Sequence, residues 1–149
     1  MIKMKLIDKQ PSLNELISKI NHNRHTGNKF KKDTEYSIGW QLKSQHSGSF
    51  ERIGIIFIWK EPDNRRDDDN VASAHKYILD SMQSLGMISG DGKKQIAGIE
   101  DVFLLDKKSP GVELHIYEYP KVKNEKDRLN QRLDLAKKSV EVYESLINV

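Results

Sequence analysis

The chain is 149 residues long, a length that suggests one domain, and a globule of that size buries roughly 68–70% of the surface its unfolded chain exposes. The composition is polar, with 36% hydrophobic and 32% charged residues, but regular apolar spacing argues against wholesale disorder. No apolar run approaches the roughly 20 residues of a membrane span, MIKMKLIDKQ lacks the features of a secretory signal, and a chain without cysteine has no disulfide, zinc–thiolate or iron–sulfur site.

A net charge of +3 conceals an asymmetry. Residues 1–60 carry 11 basic and 5 acidic side chains, residues 61–106 carry 5 and 10, and residues 107–149 carry 9 and 7. An acidic centre between basic flanks suits a metal-dependent enzyme acting on a polyanion, because carboxylates hold cations while lysine and arginine neutralise phosphate. Chance clustering on a solvated surface gives the same counts.

Taken in chain order, Ile2 to Ile7 alternates as a first strand. Ser12 and Glu15 form a capping box for a helix whose apolar face is Leu13, Ile17 and Ile20. His22 to Lys32 is basic, nearly free of aliphatics and interrupted by Gly27. Tyr36, Ile38, Trp40 and Leu42 alternate like a strand, yet Ile38 and Leu42 also share a helical face, and a short helix is the preferred reading. Gly48 to Lys60 is the clearest strand, rich in isoleucine and aromatic residues. Pro62 stops it, and Asp67 to Asn70 leads into a helix of about 15 residues, capped by Asp69 or Asn70, with Val71, Ala74, Ile78, Met82 and Leu85 as its core stripe. Gly86 ends that helix, and Gly90-Asp91-Gly92 is a tight loop. Strands at Gln95–Leu105 and Gly111–Tyr119 are expected to form a hairpin through Lys107–Gly111. A charged helix from about Asn124 to Ile147 carries Leu129, Leu133, Ala136, Val140, Tyr143 and Leu146 along one face; it is a dimer seam, a DNA-facing arm or a cover for the sheet. The expected fold is one α+β (α/β-like) domain with about four strands in a small mixed sheet, a core over 1–120 and a helical extension over 121–149.

The chemistry concentrates in Arg65-Arg66-Asp67-Asp68-Asp69-Asn70 and in Asp91. Asp67 and Asp69 are one residue apart, so in an extended segment their carboxylates share a face and converge on one cation. Two readings compete with this one. An EF-hand loop fails, since position six from Asp67 is Ala72 and position twelve is Ile78. Plain helix capping remains open. On the following helix Lys76 and Asp80 are four apart, either as an exposed ion pair or as an ammonium placed beside a metal-bound phosphate.

Arg66-Asp67-x-Asp69-Asn70, then Lys76-x-x-x-Asp80-x-Met82, then Gly86 and Gly90-Asp91 together resemble the RusA family of Holliday-junction resolvases, over about residues 50–118. The six-residue step from Asn70 to Lys76 is similar to that of a longer-spaced phage-type subgroup, and Gly90-Asp91 stands where the family usually has two acids. The resemblance implies a homodimeric, Mg²⁺-dependent endonuclease (with Mn²⁺ as a substitute) that nicks four-way DNA symmetrically, encoded by a phage or prophage and working in the cytoplasm of a bacterial host. It implies that Asp67, Asp69 and Asp91 ligate the metal, that Lys76 is the catalytic lysine, and that Asp80 supports it. The basic residues Arg24, Lys29, Lys31 and Lys32, with Arg65 or Arg66, then become phosphate contacts. Arg65 and Arg66 are equally suited to pairing with Asp67 and Asp68. Trp40 and Trp59 are expected in the core, with base stacking as the alternative. Glu100, Asp101 and Asp106 are expected as surface charge. A non-catalytic DNA-binding module, or a nuclease for other branched or single-stranded DNA, is the competing functional class.

Overall fold

The computed structural model describes residues 1–149. Four strands, β1 (Ile2–Ile7), β2 (Ile53–Glu61), β3 (Ile96–Leu105) and β4 (Gly111–Glu118), form one mixed sheet in the order β1-β4-β2-β3. β4 runs antiparallel to both β1 and β2, while β3 runs parallel to β2. The expected β3–β4 hairpin is therefore absent. β2 lies between the two strands, and Lys107–Gly111 spans that gap instead of turning a hairpin. Being central and covered on both faces, β2 is a near-continuous apolar run rather than an alternating one.

Helices α1 (Leu13–His22), α2 (Arg24–Gln45), α3 (Asp68–Ala72) and α4 (His75–Ser84) supply the layer on one face, and α5 (Glu125–Ile147) packs on the other. The main core gathers Ile53, Ile55, Phe57 and Trp59 from β2 with Ile38 and Leu42 from α2 and Ala74, Tyr77, Ile78 and Met82 from α4. A smaller cluster of Ile56, Ile58, Val102 and Leu135 lies under α5. Gly54 and Gly98 face each other across β2 and β3, and a Cβ on either would meet the Leu135 methyls at 3.1–3.2 Å, so two glycines open the slot that seats α5.

Both sides of the Ser12 capping box are made, with Glu15 N–H donating to Ser12 Oγ at 3.2 Å. On α1, however, Leu16 is buried while Leu13, Ile17 and Ile20 remain half-exposed. Gly27 does not interrupt the basic stretch: His22 is the last residue of α1, and from Arg24 on the stretch forms the first turns of a 22-residue helix. Asn23 caps it by accepting from the His25 and Thr26 amides, and Gly27 lets it pass α1, where a Cβ would lie 2.4 Å from Ile20 Cγ1. The Tyr36–Leu42 stretch is helical, as expected, within this longer element. At its C-terminal end α2 blunts one edge of the sheet. Gln45 accepts from the Lys5 amide (2.7 Å) and donates to the Lys5 carbonyl (2.6 Å), and Gln41 accepts from the Ile7 amide (2.7 Å), so two side-chain amides satisfy backbone that would otherwise template another strand.

The single helix expected after Asn70 is two, broken at Ser73–Ala74, and the N-cap is Asp67 rather than Asp69 or Asn70. The α5 stripe remains largely exposed at Leu129, Leu133, Val140, Tyr143 and Leu146, because the helix covers the sheet with the neighbouring face of Leu135 and Ser139. No helix is long and apolar enough to cross a membrane.

Candidate functional site

The acidic motif begins where β2 ends, and Arg66 fixes it there. Its Nε and Nη2 donate to the two carboxylate oxygens of Glu61 at 2.8 and 2.9 Å, and its Nη1 donates to the Gln10 carbonyl at 2.7 Å. Glu15 approaches the same guanidinium at 3.6 Å, and the side chain is only 10% exposed. This bidentate clamp ties the end of β2, the lead into α1 and the start of the motif together. Arg65 points to solvent beside Asp63 (3.5 Å). Neither arginine pairs with Asp67 or Asp68, and only Arg65 is free to meet a phosphate.

Asp67 has the extended backbone of an N-cap, yet its carboxylate makes no capping hydrogen bond. Asp67, Asp68 and Asp69 are all exposed. The break at Ser73–Ala74 starts a new helix, so Asp69 and Lys76, seven residues apart, lie on two separate helices. What the fold does assemble is a group around Lys76. Its ammonium lies 3.2 Å from Asp80 Oδ1, one turn along α4, and 3.9 Å from Asp91 Oδ2 in the loop after the helix. The hydrogen bond and charge of Asp80, with smaller contributions from Asp91 and Glu35, push the Lys76 ammonium above its ordinary range, against a small opposing effect of burial. Lys76 therefore stays cationic at neutral pH, a state suited to stabilising negative charge and not to taking a proton.

The Asp91 loop follows the expected Gly86 stop and is held by residues the sequence did not flag. Gly86 takes φ +74° to end α4. Buried Arg52 donates through Nη1 to the Lys93 and Lys94 carbonyls at 2.6 and 3.0 Å and through Nε to Gln131 on α5 at 2.9 Å. Gln95 Nε2 donates to Ser89 Oγ across the same loop. Arg52 and Gln95 thus hold the loop while Asp91 stays exposed. A second unflagged group fixes the start of α4. Asp101, on the edge strand β3, accepts from Trp59 Nε1 at 2.7 Å and pairs with His75 Nε2 at 2.7 Å, and the imidazole packs on the Phe57 and Trp59 rings. Asp101 is thus a half-buried anchor and not surface charge. The pairing follows from the parallel register of Phe57 with Asp101, and a lone histidine beside Lys76 was the only signal in the sequence.

No three carboxylate or imidazole side chains gather closely enough to hold a metal ion, so Asp67, Asp69 and Asp91 do not form a closed cage. The donor chemistry is still that of a hard cation, since Mg²⁺ commonly takes one or two carboxylates and completes its shell with water and substrate phosphate oxygens. By donor chemistry alone these carboxylates suit such a cation; Asp67 caps α3, Asp69 lies within it, and Asp91 lies in the loop after α4.

Of the basic residues, Arg24, Lys29 and Lys32 are exposed on α2, and Lys31 stands 3.8 Å from Glu35. Trp59 is buried as expected, but Trp40 is not: it is 60% exposed and packs edge-on against Tyr36. No protein-family model matches the chain, and no curated protein matches it.

Proposed function

We propose that this protein is a structure-selective endodeoxyribonuclease of the RusA type, acting as a homodimer on four-way or otherwise branched DNA and requiring Mg²⁺ or Mn²⁺. The observation that carries the reading is the convergence of Asp80 and Asp91, eleven residues apart, on a single cationic Lys76, on the helix that follows a run of three exposed aspartates. An isolated surface ion pair needs only one partner. Lys76 is oriented by its hydrogen bond to Asp80 with Asp91 3.9 Å away, and an arriving phosphate would compete with these carboxylates for its charge.

In this reading Asp67, Asp69 and Asp91 would hold the metal, which when bound polarises the scissile phosphate and activates water. Lys76 neutralises charge developing on the phosphate, and Asp80 orients Lys76. Arg65, Arg24, Lys29 and Lys32 contact backbone phosphates and set the register of the DNA. Arg52 and the His75–Asp101 pair hold Asp91 and Lys76 in place. The uncovered stripe on α5 supports a symmetric contact with a second copy. Leu129, Leu133, Ala136, Val140 and Tyr143 recur at alternating steps of four and three, the spacing of a helix that packs on another helix, and a second active site is what paired nicks require.

The test is to replace Asp67 and Asp69 singly by Asn. Cleavage of branched DNA should be abolished, while binding is kept or strengthened because repulsion of phosphate is removed. In the competing reading, a non-catalytic binding module, the wild type does not cut, and both variants bind junctions as it does and shift stability only slightly, since both side chains are exposed and Asp67 makes no capping hydrogen bond.

A further inference from the structure

One face of α2 carries Lys32, Tyr36, Trp40 and Lys43, each about one turn from the next, over roughly 16 Å of helix. Tyr36 and Trp40 are 69% and 60% exposed, with ring centroids 6.3 Å apart at an interplanar angle of 77°. With Gly39, where an added Cβ would meet nothing within 4 Å, they line an open groove of about 470 Å³ against Ser81, Ser84 and Leu85 at the end of α4. Glu35 lines this groove and also a second one with Lys31 and Asp80, so the path runs on to the carboxylate that holds Lys76.

We infer that this groove is a binding site for unpaired bases of a DNA strand, which stack on Trp40 and Tyr36 while Lys32 and Lys43 hold the flanking phosphates. Two exposed aromatics give π-faces that any base can use, and a lysine beyond each end supplies the matching charge. Buried apolar packing does not explain rings this exposed, and a purely apolar partner would leave both lysines facing hydrocarbon. The Glu35 wall adds a direction. Its carboxylate, 3.8 Å from Lys31, puts negative charge on this wall and disfavours phosphate there. A strand lying here presents its bases to α4 and its backbone to solvent.

The inference rests on the nuclease reading for its link to cleavage, but its test is independent of catalysis. In EDTA, a 12-residue oligothymidylate is titrated into the full chain while tryptophan emission is followed. Trp59 is buried, so quenching reports Trp40. The expected results are saturable quenching in the wild type and, read by anisotropy of a dye-labelled oligothymidylate because the variants lack the reporting tryptophan, a roughly 5- to 100-fold loss of affinity in Trp40→Ala, most of the affinity kept in Trp40→Phe, and a smaller loss of affinity for blunt duplex. Thermal melts show whether the variants fold, and the Trp40 side chain is exposed enough to be dispensable. Absence of quenching, or equal losses for single strand and duplex, overturns the inference even if wild type cuts branched DNA. Quenching that appears on self-association without DNA, seen by sedimentation, also overturns it and makes the groove a contact between copies. Stacking without cleavage in either metal keeps the groove and removes the nuclease.

Discussion

Replacing Arg66 by Met separates structure from DNA contact at a residue that invites either role. The guanidinium makes three short hydrogen bonds, two of them a bidentate pair with a Glu61 side chain only 12% exposed. Removing one partner of a buried pair costs about 3–5 kcal/mol, because the other charge is left without compensation. The side chains here keep some contact with water, which puts the expected loss near the lower figure, about 3 kcal/mol. For a chain of this length that lowers Tm by roughly 6–12 °C. The assay is calorimetric melting of the wild type, Arg66→Met, Glu61→Gln and the double variant. Removing both charges should recover part of the loss, giving a coupling energy of about 1 kcal/mol or more. A single variant within about 2 °C of wild type, with weaker DNA binding and a salt slope lowered by about one, would refute the clamp and make Arg66 a phosphate contact.

Glu113 gives a pH prediction. Burial raises its pKa, but hydrogen bonds from Lys60 and His115 and the charges of Lys60 and Lys3 outweigh this and bring it to about 2. A carboxyl depressed in the folded state contributes stability above its unfolded pKa and loses it as pH falls through the folded one, so on the order of 3 kcal/mol should disappear between about pH 4.5 and pH 2. Acid melts of Glu113→Gln should lack that component, and an unchanged acid profile would contradict the assignment. Gly27→Ala should cost about 1–3 kcal/mol, since its Cβ would meet both the side chain and the backbone of Ile20; denaturant unfolding measures this, and no loss would mean that α1 shifts freely. Leu133→Glu together with Val140→Glu should leave the fold intact and shift sedimentation from dimer to monomer, whereas an unchanged dimer would place the contact elsewhere. Asp101→Asn should weaken the hold of Trp59 and His75 on α4 and lower turnover of branched DNA with little change in its binding, and unchanged turnover would count against a positioning role.

What the sequence disclosed was mostly local. The Ser12 cap, the Gly86 stop and the isoleucine-rich central strand depend on a few neighbouring residues, and each is found, although the strand begins at Ile53 rather than at Gly48. The α3–α4 break was hidden because Val71, Ala74 and Ile78 keep helical spacing through it and are all buried. The β3–β4 pairing was misjudged because a short connection ordinarily means a hairpin, and nothing local tells that β2 inserts between the strands. At the site, the Lys76–Asp80 pair was readable as a four-residue step, and Asp91 as a glycine-flanked acid. Arg52, Asp101 and the Glu61–Arg66 clamp depend on contacts set by sheet register and by the close approach of separate elements. Trp40 was misplaced because alternation of Tyr36, Ile38, Trp40 and Leu42 gives all four similar apolar weight, whereas the helix buries only Ile38 and Leu42.

The central claim is tested most directly by incubating the protein with a labelled synthetic four-way junction and a matched linear duplex, in Mg²⁺, in Mn²⁺ and in EDTA. The account predicts symmetric nicking of the junction alone, dependent on metal and lost in Asp69→Asn. Tight junction binding with no cutting in either metal, or cutting that Asp69→Asn leaves intact, would contradict it.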